Sequence, residues 1–95
     1  MSENDKRILL VDDDAEFTDS IQALLSSAGY SVDAVNDGSQ GLAKAIADRP
    51  DLMILDVMMS TDTEGFEICR KVREQPELEG MPVIMLTGIR RALNL

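Results

Sequence analysis

Three short apolar runs, each four residues long and each followed at once by a polar residue, constrain the fold of this chain more than any other feature. The runs are residues 8–11, 52–55 and 83–86, and the polar residues that follow them are Asp12, Asp56 and Thr87. Segments with helical spacing alternate with these runs at 15–29, 37–50 and 64–75, and a weaker strand pattern covers 30–36. Because such alternation is typical of right-handed βαβ units, we predict one α/β domain with a parallel sheet.

Each predicted helix carries apolar residues that we expect to face the core. They are Phe17, Ile21, Leu24, Leu25 and Ala28 in the first helix, Leu42, Ala45 and Ile46 in the second, and Phe66, Cys69 and Val72 in the third. We interpret Met53, Met81 and Met85 as core-filling residues rather than ligands. Asp13 lies three residues before Glu16, which predicts a capping pair at the start of the first helix, and Gly29 is a natural stop.

Composition narrows the function classes. A length of 95 residues favours a single domain, and no apolar run is long enough to span a bilayer. The chain has one cysteine, Cys69, so an internal disulfide is excluded and a reducing cytoplasm is the expected location. The absence of histidine excludes Ser-His catalysis and histidine metal sites. A net charge of -9 argues against contact with nucleic acid, whose phosphates attract cations.

The polar residues at the strand ends predict a binding site. In an open parallel sheet, ligands bind outside the carboxyl ends of the strands, where Asp12, Asp13, Asp56 and Thr87 would converge. Two carboxylates about 4 Å apart repel by roughly 4 kcal/mol at an effective dielectric constant near 20, so a cation is expected between them. Oxygen ligands favour Mg²⁺ over zinc, and the small cluster favours Mg²⁺ over Ca²⁺. We expect Asp14 to start the following helix instead.

These residues together resemble the receiver domain of two-component response regulators. The matching stretches, in order, are "ILLVDDD", "DLMILDVMM", the glycine-aromatic pair Gly65–Phe66, and "PVIMLTG". The resemblance covers residues 6–89 and implies a doubly wound, flavodoxin-like sheet with the strand order 2-1-3-4-5.

The resemblance also implies a role for each site residue. Asp56 matches the aspartate that accepts a phosphoryl group from a histidine kinase or a phosphotransfer protein. Asp12 and Asp13 match the acidic pair that holds Mg²⁺ together with Asp56, and the backbone carbonyl of Met58 matches a further ligand. Thr87 matches the hydroxyl residue that binds the phosphoryl group and turns inward on activation. The expected function is therefore a cytoplasmic signalling switch, not an enzyme, that acts on a downstream protein partner without contacting nucleic acid or a membrane.

The chain departs from the receiver pattern after the fourth strand. Receivers run to roughly 120 residues, so we expect the C-terminal helix-strand-helix part, including the phosphoryl-binding lysine, to be missing, with residues 1–5 a disordered tail and residues 90–95 an atypical end. The loop after Asp56 is also one residue longer than usual, with Ser60 where the family often has proline. We expect the exposed fourth strand to drive homo-oligomerisation, with Ile89, Leu93 and Leu95 contributing apolar area.

Two other readings stay open. A pseudo-receiver that has lost phosphotransfer would also lack the lysine and would act only through protein contact. An aspartate-nucleophile phosphatase of the dehalogenase-like type is the second alternative. Such enzymes carry another aspartate two residues after the nucleophile, where this chain has Met58. The sequence names neither the kinase nor the pathway.

Overall fold

The computed structural model describes residues 6–56 and 64–86. The elements in chain order are β1 (Arg7–Val11), α1 (Ala15–Ser27), β2 (Ser31–Val35), α2 (Gly38–Asp48), β3 (Leu52–Asp56), α3 (Glu64–Arg73), a 3-10 helix (Pro76–Leu78) and β4 (Val83–Leu86). The predicted strands and helices are all present at the expected places. The 3-10 helix has no counterpart among the predicted elements.

The strands form a parallel sheet in the order β2-β1-β3-β4. In this register Val11 of β1 lies opposite Val35 of β2 and Leu55 of β3, and Asp56 lies opposite Leu86 of β4. Because β1 and β3 each have a strand on both sides, they are buried as continuous apolar runs. The α/β class and the first four places of the expected strand order are therefore confirmed.

The main core lies on the side of the sheet that α2 and α3 cover. Alternate residues of β1 and β3 point to this side and are almost fully buried: Leu9, Val11, Met53 and Leu55. They pack with Ala45, Ile68, Val72, Leu78 and Met81, and with the partly buried Leu42, Ile46 and Cys69. The predicted inward face of α2 and the core roles of Met53 and Met81 are thus confirmed.

The other side of the sheet is only partly covered by α1. This helix packs against β2 and β1, where Ile8 and Leu10 are buried. Ile84 of β4, which lies opposite Ile54 in the register, is 48% exposed. The sheet surface over β3 and β4 on this side is therefore partly open among the residues that the structure describes.

Two expected core residues lie on the surface. Leu24 is 66% exposed, because α1 covers the sheet with Phe17, Ile21 and Leu25. Phe66 is 56% exposed, because α3 instead points Ile68 and Val72, one helical turn apart, at the core. Ala28 caps the carboxyl end of α1 and is also exposed. Assigning these three residues to the core was wrong.

Helix α2 approaches the carboxyl end of β1 closely at Gly41. A Cβ atom at this position would lie 2.7 Å from Cγ2 of Val11, which is shorter than a normal carbon contact. The absence of a side chain at Gly41 therefore lets the helix lie directly against the residue that precedes Asp12. At its own start, α2 is capped by Asp37, whose carboxylate accepts hydrogen bonds from the backbone N–H groups of Ser39 and Gln40.

Candidate functional site

A cluster of three carboxylates lies at the carboxyl ends of β1 and β3. One carboxylate oxygen from each of Asp12, Asp13 and Asp56 lies within 4.8 Å of the other two. Asp12 is 1% exposed and Asp56 is 4% exposed, whereas Asp13 is on the surface. The parallel register brings the ends of these neighbouring strands to one edge, which is why acids so far apart in sequence meet.

Asp12 is held in place by its backbone and by its side chain. Its N–H donates to the carbonyl of Val35 at 3.1 Å, which extends the β1–β2 ladder by one bond. Its carbonyl accepts from the side-chain amide of Asn36 at 2.7 Å. Its carboxylate Oδ1 accepts from the N–H of Asp14 at 2.9 Å, so the chain turns sharply after β1. These bonds fix the direction in which the loop leaves the sheet.

Asp14 lies outside the cluster and starts α1. It is the N-cap residue, and its carboxylate accepts a hydrogen bond from the N–H of Phe17 at 3.1 Å. The expected role of Asp14 is confirmed. The expected Asp13–Glu16 capping pair is wrong, because the chain enters the helix one residue later and the carboxylate of Asp13 joins the cluster instead.

The donor set fits a hard divalent cation. All three groups are carboxylates, and two of them are nearly buried, where water screens their mutual repulsion poorly. A cation between them would remove that repulsion, and an oxygen-only set suits Mg²⁺ or Ca²⁺ better than zinc. The exposed position of Asp13 leaves one side of the cluster accessible to solvent and to a substrate.

Two of the predicted site residues cannot be placed. Met58 and Thr87 lie outside the described residues, as do Ser60, Ile89, Leu93 and Leu95. The structure therefore brings together Asp12, Asp13 and Asp56 of the predicted set. The roles proposed for Met58 and Thr87 stay predictions.

The basic residues of the described part of the chain lie toward the opposite edge of the sheet. They are Lys6 and Arg7 around the start of β1, Lys44 in the second half of α2, Arg49 at the C-cap of α2, and Arg70, Lys71 and Arg73 in the last turn of α3. The Nζ atom of Lys44 lies 3.0 Å from Asp48 and 3.9 Å from Asp33. The hydrogen bond with Asp48 and the charges of both acids raise the pKa of Lys44. Lys44 is thus engaged away from the carboxylates.

Two residues that support the site have no place among the predicted site residues. Asn36 follows β2 and binds the backbone of Asp12, and its amide nitrogen also lies 3.3 Å from the hydroxyl of Thr18. Thr18 is 2% exposed and is the buried residue of α1. The sequence did contain a sign of this role. Asn36 is the polar residue directly after β2, just as Asp12 is the polar residue directly after β1.

A comparison with known families decides the identity of this fold. The family model described as the response regulator receiver domain matches residues 8–93. The chain belongs to the response-regulator receiver family. The resemblance inferred from the motifs is therefore confirmed.

Relatives of known identity agree with this assignment. The response regulator MprA of Mycobacterium leprae is 43% identical over 82 residues, which are 86% of this chain and 35% of MprA. The transcriptional regulatory protein GltR of Pseudomonas aeruginosa is 42% identical over 88 residues, covering 93% of this chain and 36% of GltR. The receiver domain described here thus spans about a third of the length of these relatives.

Solved receiver structures share the fold. The chemotaxis protein CheY4 of Vibrio cholerae superposes with a TM-score of 0.79 at 37% identity, covering 85% of this chain and 67% of that one. The N-terminal domain of a response regulator receiver protein from Methanoculleus marisnigri gives a TM-score of 0.81 at 32% identity, covering 87% and 67%. Within the described residues, no helix of this receiver domain is both long and apolar enough to cross a bilayer.

Proposed function

We propose that Asp56 accepts a phosphoryl group and that Asp12, Asp13 and Asp56 hold Mg²⁺ beside it, with the carbonyl of Met58 as a further ligand. The observation that carries this proposal is the meeting of three carboxylates within 4.8 Å at the carboxyl ends of interior strands. The proposed phosphodonor is a histidine kinase or a phosphotransfer protein.

Asp56 is the proposed acceptor because it matches the phosphoacceptor of the receiver family at the end of the third strand. Asp12 is proposed as a metal ligand, and the hydrogen bond that its Oδ1 accepts from the N–H of Asp14 holds its carboxylate in the loop. Asp56 ends β3, an interior strand, and the chain beyond it passes into the segment before α3. The ladder between β3 and β4 pairs Asp56 with Leu86, and Asp56 is 4% exposed.

The transfer itself is a simple displacement. A carboxylate oxygen of Asp56 forms a bond to phosphorus, and the bond from phosphorus to the donor breaks, with its electron pair leaving on the donor. A bound Mg²⁺ would offset the negative charges that the acceptor and the phosphoryl group bring together. Asp12, fixed by its loop, and Asp13, on the open side, supply the carboxylates that hold the ion.

We further propose that phosphorylation changes a protein-contact surface. The acyl phosphate adds charge and acceptor oxygens at the edge of the sheet, and the hydroxyl of Thr87 would move to bind it. The output would be contact with a downstream protein, and the domain itself is not an enzyme. We propose residues 6–89 as the core of this domain and the cytoplasm as its location. The net charge of -9 argues against contact between this chain and nucleic acid.

Phosphorylation by a small phosphodonor tests the proposed function. Purified protein incubated with acetyl phosphate and Mg²⁺ is expected to gain one phosphoryl group per chain, and mild base should remove it because an acyl phosphate hydrolyses readily. Intact-mass spectrometry measures both steps, and omission of Mg²⁺ should prevent the gain. A protein that binds Mg²⁺ but takes up no phosphate would instead be the pseudo-receiver, an alternative that the position of Lys44 away from the carboxylates favours.

We also propose that the open side of the sheet supports self-association. Ile84 is 48% exposed and lies opposite Ile54, on the side where, among the described residues, α1 packs mainly against β2 and β1. Burial of apolar surface contributes roughly 25 cal/mol per Å², so a few hundred Å² of contact is a substantial driving force. A second copy of the chain, packed at the fourth strand, would cover this surface.

Sedimentation at micromolar concentration should show a dimer or a larger oligomer. Ile84→Glu is expected to shift the protein to monomer, because it places a charge in the proposed contact. Phe66→Glu is a matched control, since Phe66 is equally apolar and 56% exposed but belongs to α3 on the other side of the sheet. A wild-type protein that sediments as a monomer with sharp thermal unfolding would exclude the association.

A further inference from the structure

We propose that Asn36 is a positioning residue for the metal site, because its side-chain amide holds the peptide group that joins Asp12 to Asp13. This inference rests on the proposed function, in which these two carboxylates bind Mg²⁺. Asn36 belongs to neither β2 nor α2 and contributes no ligand of its own. We propose that Asn36 affects Mg²⁺ binding only by fixing the backbone of the loop that carries Asp12 and Asp13.

The contact between Asn36 and Asp12 has an unambiguous direction. Nδ2 of Asn36 lies 2.7 Å from the carbonyl oxygen of Asp12. A carbonyl oxygen can only accept a hydrogen bond, so the amide nitrogen and not the amide oxygen must face it. Together with the bond from the N–H of Asp12 to Val35, this contact engages both polar backbone groups of Asp12.

Planarity of the peptide bond carries this constraint to the next residue. The carbonyl of Asp12 lies in one rigid plane with the nitrogen and Cα of Asp13. A hydrogen bond that fixes the carbonyl oxygen therefore fixes where the Cα of Asp13 lies. Asp13 is the exposed carboxylate of the cluster, so its side chain is not fixed by surrounding core residues. The position of this carboxylate therefore depends on the backbone of Asp13.

A second contact ties the same amide to α1. Nδ2 of Asn36 lies 3.3 Å from Oγ1 of Thr18, and that hydroxyl donates to the carbonyl of Ala15 at 3.0 Å. A side-chain amide has two N–H donors, so one can serve Asp12 and the other Thr18. The loop from Asp12 to the first turn of α1 is thereby held at both of its ends by one side chain.

The chain turns away from the sheet directly after Asn36. Strand β2 ends at Val35, and Asp37 caps α2, with its carboxylate accepting hydrogen bonds from N–H groups of that helix. Asn36 therefore lies between the strand and the helix cap, where its side-chain amide donates to the carbonyl of Asp12.

The test replaces the amide by an apolar group of the same branched shape. Asn36→Leu is expected to raise the dissociation constant for Mg²⁺ about tenfold, the lower end of the range found when groups that orient metal ligands are changed. Isothermal titration with MgCl₂ measures this effect. With acetyl phosphate as donor, the Mg²⁺ concentration for half-maximal phosphorylation should rise equally, while the rate at saturating Mg²⁺ should match that of the wild type.

Gln22→Leu is the matched control. Nε2 of Gln22 donates to the carbonyl of Val32 at 2.8 Å, so this pair also joins an amide side chain to a backbone carbonyl, but near the amino end of the edge strand β2. Gln22→Leu should lower the midpoint of urea unfolding without changing Mg²⁺ affinity. Equal weakening of Mg²⁺ binding by both variants would overturn the inference, as would wild-type affinity in Asn36→Leu.

Two further outcomes are separable. If Asn36→Leu fails to fold, Thr18→Val is used in its place, because it keeps the shape of the side chain and removes the hydroxyl. Weaker Mg²⁺ binding by Thr18→Val supports the inference, and unchanged Mg²⁺ binding overturns it. If the wild type shows no saturable Mg²⁺ binding, the proposed metal site is wrong and the positioning role fails with it. Wild-type Mg²⁺ binding that Asn36→Leu leaves unchanged overturns the positioning role alone.

Discussion

Replacing Asp56 by asparagine is expected to abolish the incorporation of phosphate from acetyl phosphate. The amide keeps the shape of the carboxylate at the end of β3, so the fold should persist, but it offers no anionic oxygen to attack phosphorus. Incubation with acetyl phosphate and Mg²⁺ followed by intact-mass spectrometry should show one added phosphoryl group on the wild type and none on Asp56→Asn. Circular dichroism verifies that the variant is folded.

Two other aspartates provide controls for this experiment. Asp51→Asn makes the same change just before β3, far from the cluster, and should leave phosphorylation intact. Asp13→Asn keeps the acceptor but removes a proposed ligand, so phosphorylation should require more Mg²⁺ and remain possible. An adduct that persists in Asp56→Asn, or one that disappears in Asp51→Asn, would show that Asp56 is not the acceptor.

Truncation of Leu9 to alanine is expected to destabilise the domain by about 2–5 kcal/mol, the range for deletion of a buried leucine side chain. Leu9 is 2% exposed and lies at the centre of the core, between the strands and the helices α2 and α3. Small domains are stable by only about 5–15 kcal/mol, so this variant would lose a large part of its stability. Urea unfolding followed by circular dichroism measures the free energy of unfolding.

Leu24→Ala is the matched control, since it makes the same chemical change on the surface of α1. Leu24 is 66% exposed, and alanine favours helix at least as well as leucine, so the free energy of unfolding should change by no more than about 0.5 kcal/mol. Similar losses in the two variants would contradict the division between core and surface described here.

Much of the site is predictable from the sequence because strand ends are easy to recognise. An apolar run that stops at an acid marks both the length of the strand and the point at which it leaves the core. Once the alternation of helices and strands establishes a parallel sheet, Asp12 and Asp56 must lie at the same edge. The meeting of these two acids therefore follows from local patterns and one topological rule.

Other features depend on packing that no local pattern specifies. Leu24 and Phe66 match the helical spacing of a core face, but the angle at which each helix lies on the sheet leaves them outside. Leu78 is buried because it ends a short 3-10 helix, Pro76–Leu78. The polar residues on either side of Leu78 gave no sign of this helix in the sequence. Asn36 looks like an ordinary turn residue until β1 and β2 are placed side by side, because its partner Asp12 is 24 residues away in sequence.

The two edges of the sheet differ in charge, because the described bases lie near the amino edge, partly paired with acids such as Asp48 and Glu74, whereas the carboxyl edge carries the carboxylate cluster. The lysines and arginines in the described part of the chain gather near the amino edge of the sheet, and the carboxylate cluster lies at the carboxyl edge. An approaching charged molecule responds to such a field within a screening length of about 8 Å at physiological ionic strength. A partner with a positive surface would thus be rotated toward the carboxylate edge before contact, and its association rate would fall as salt rises.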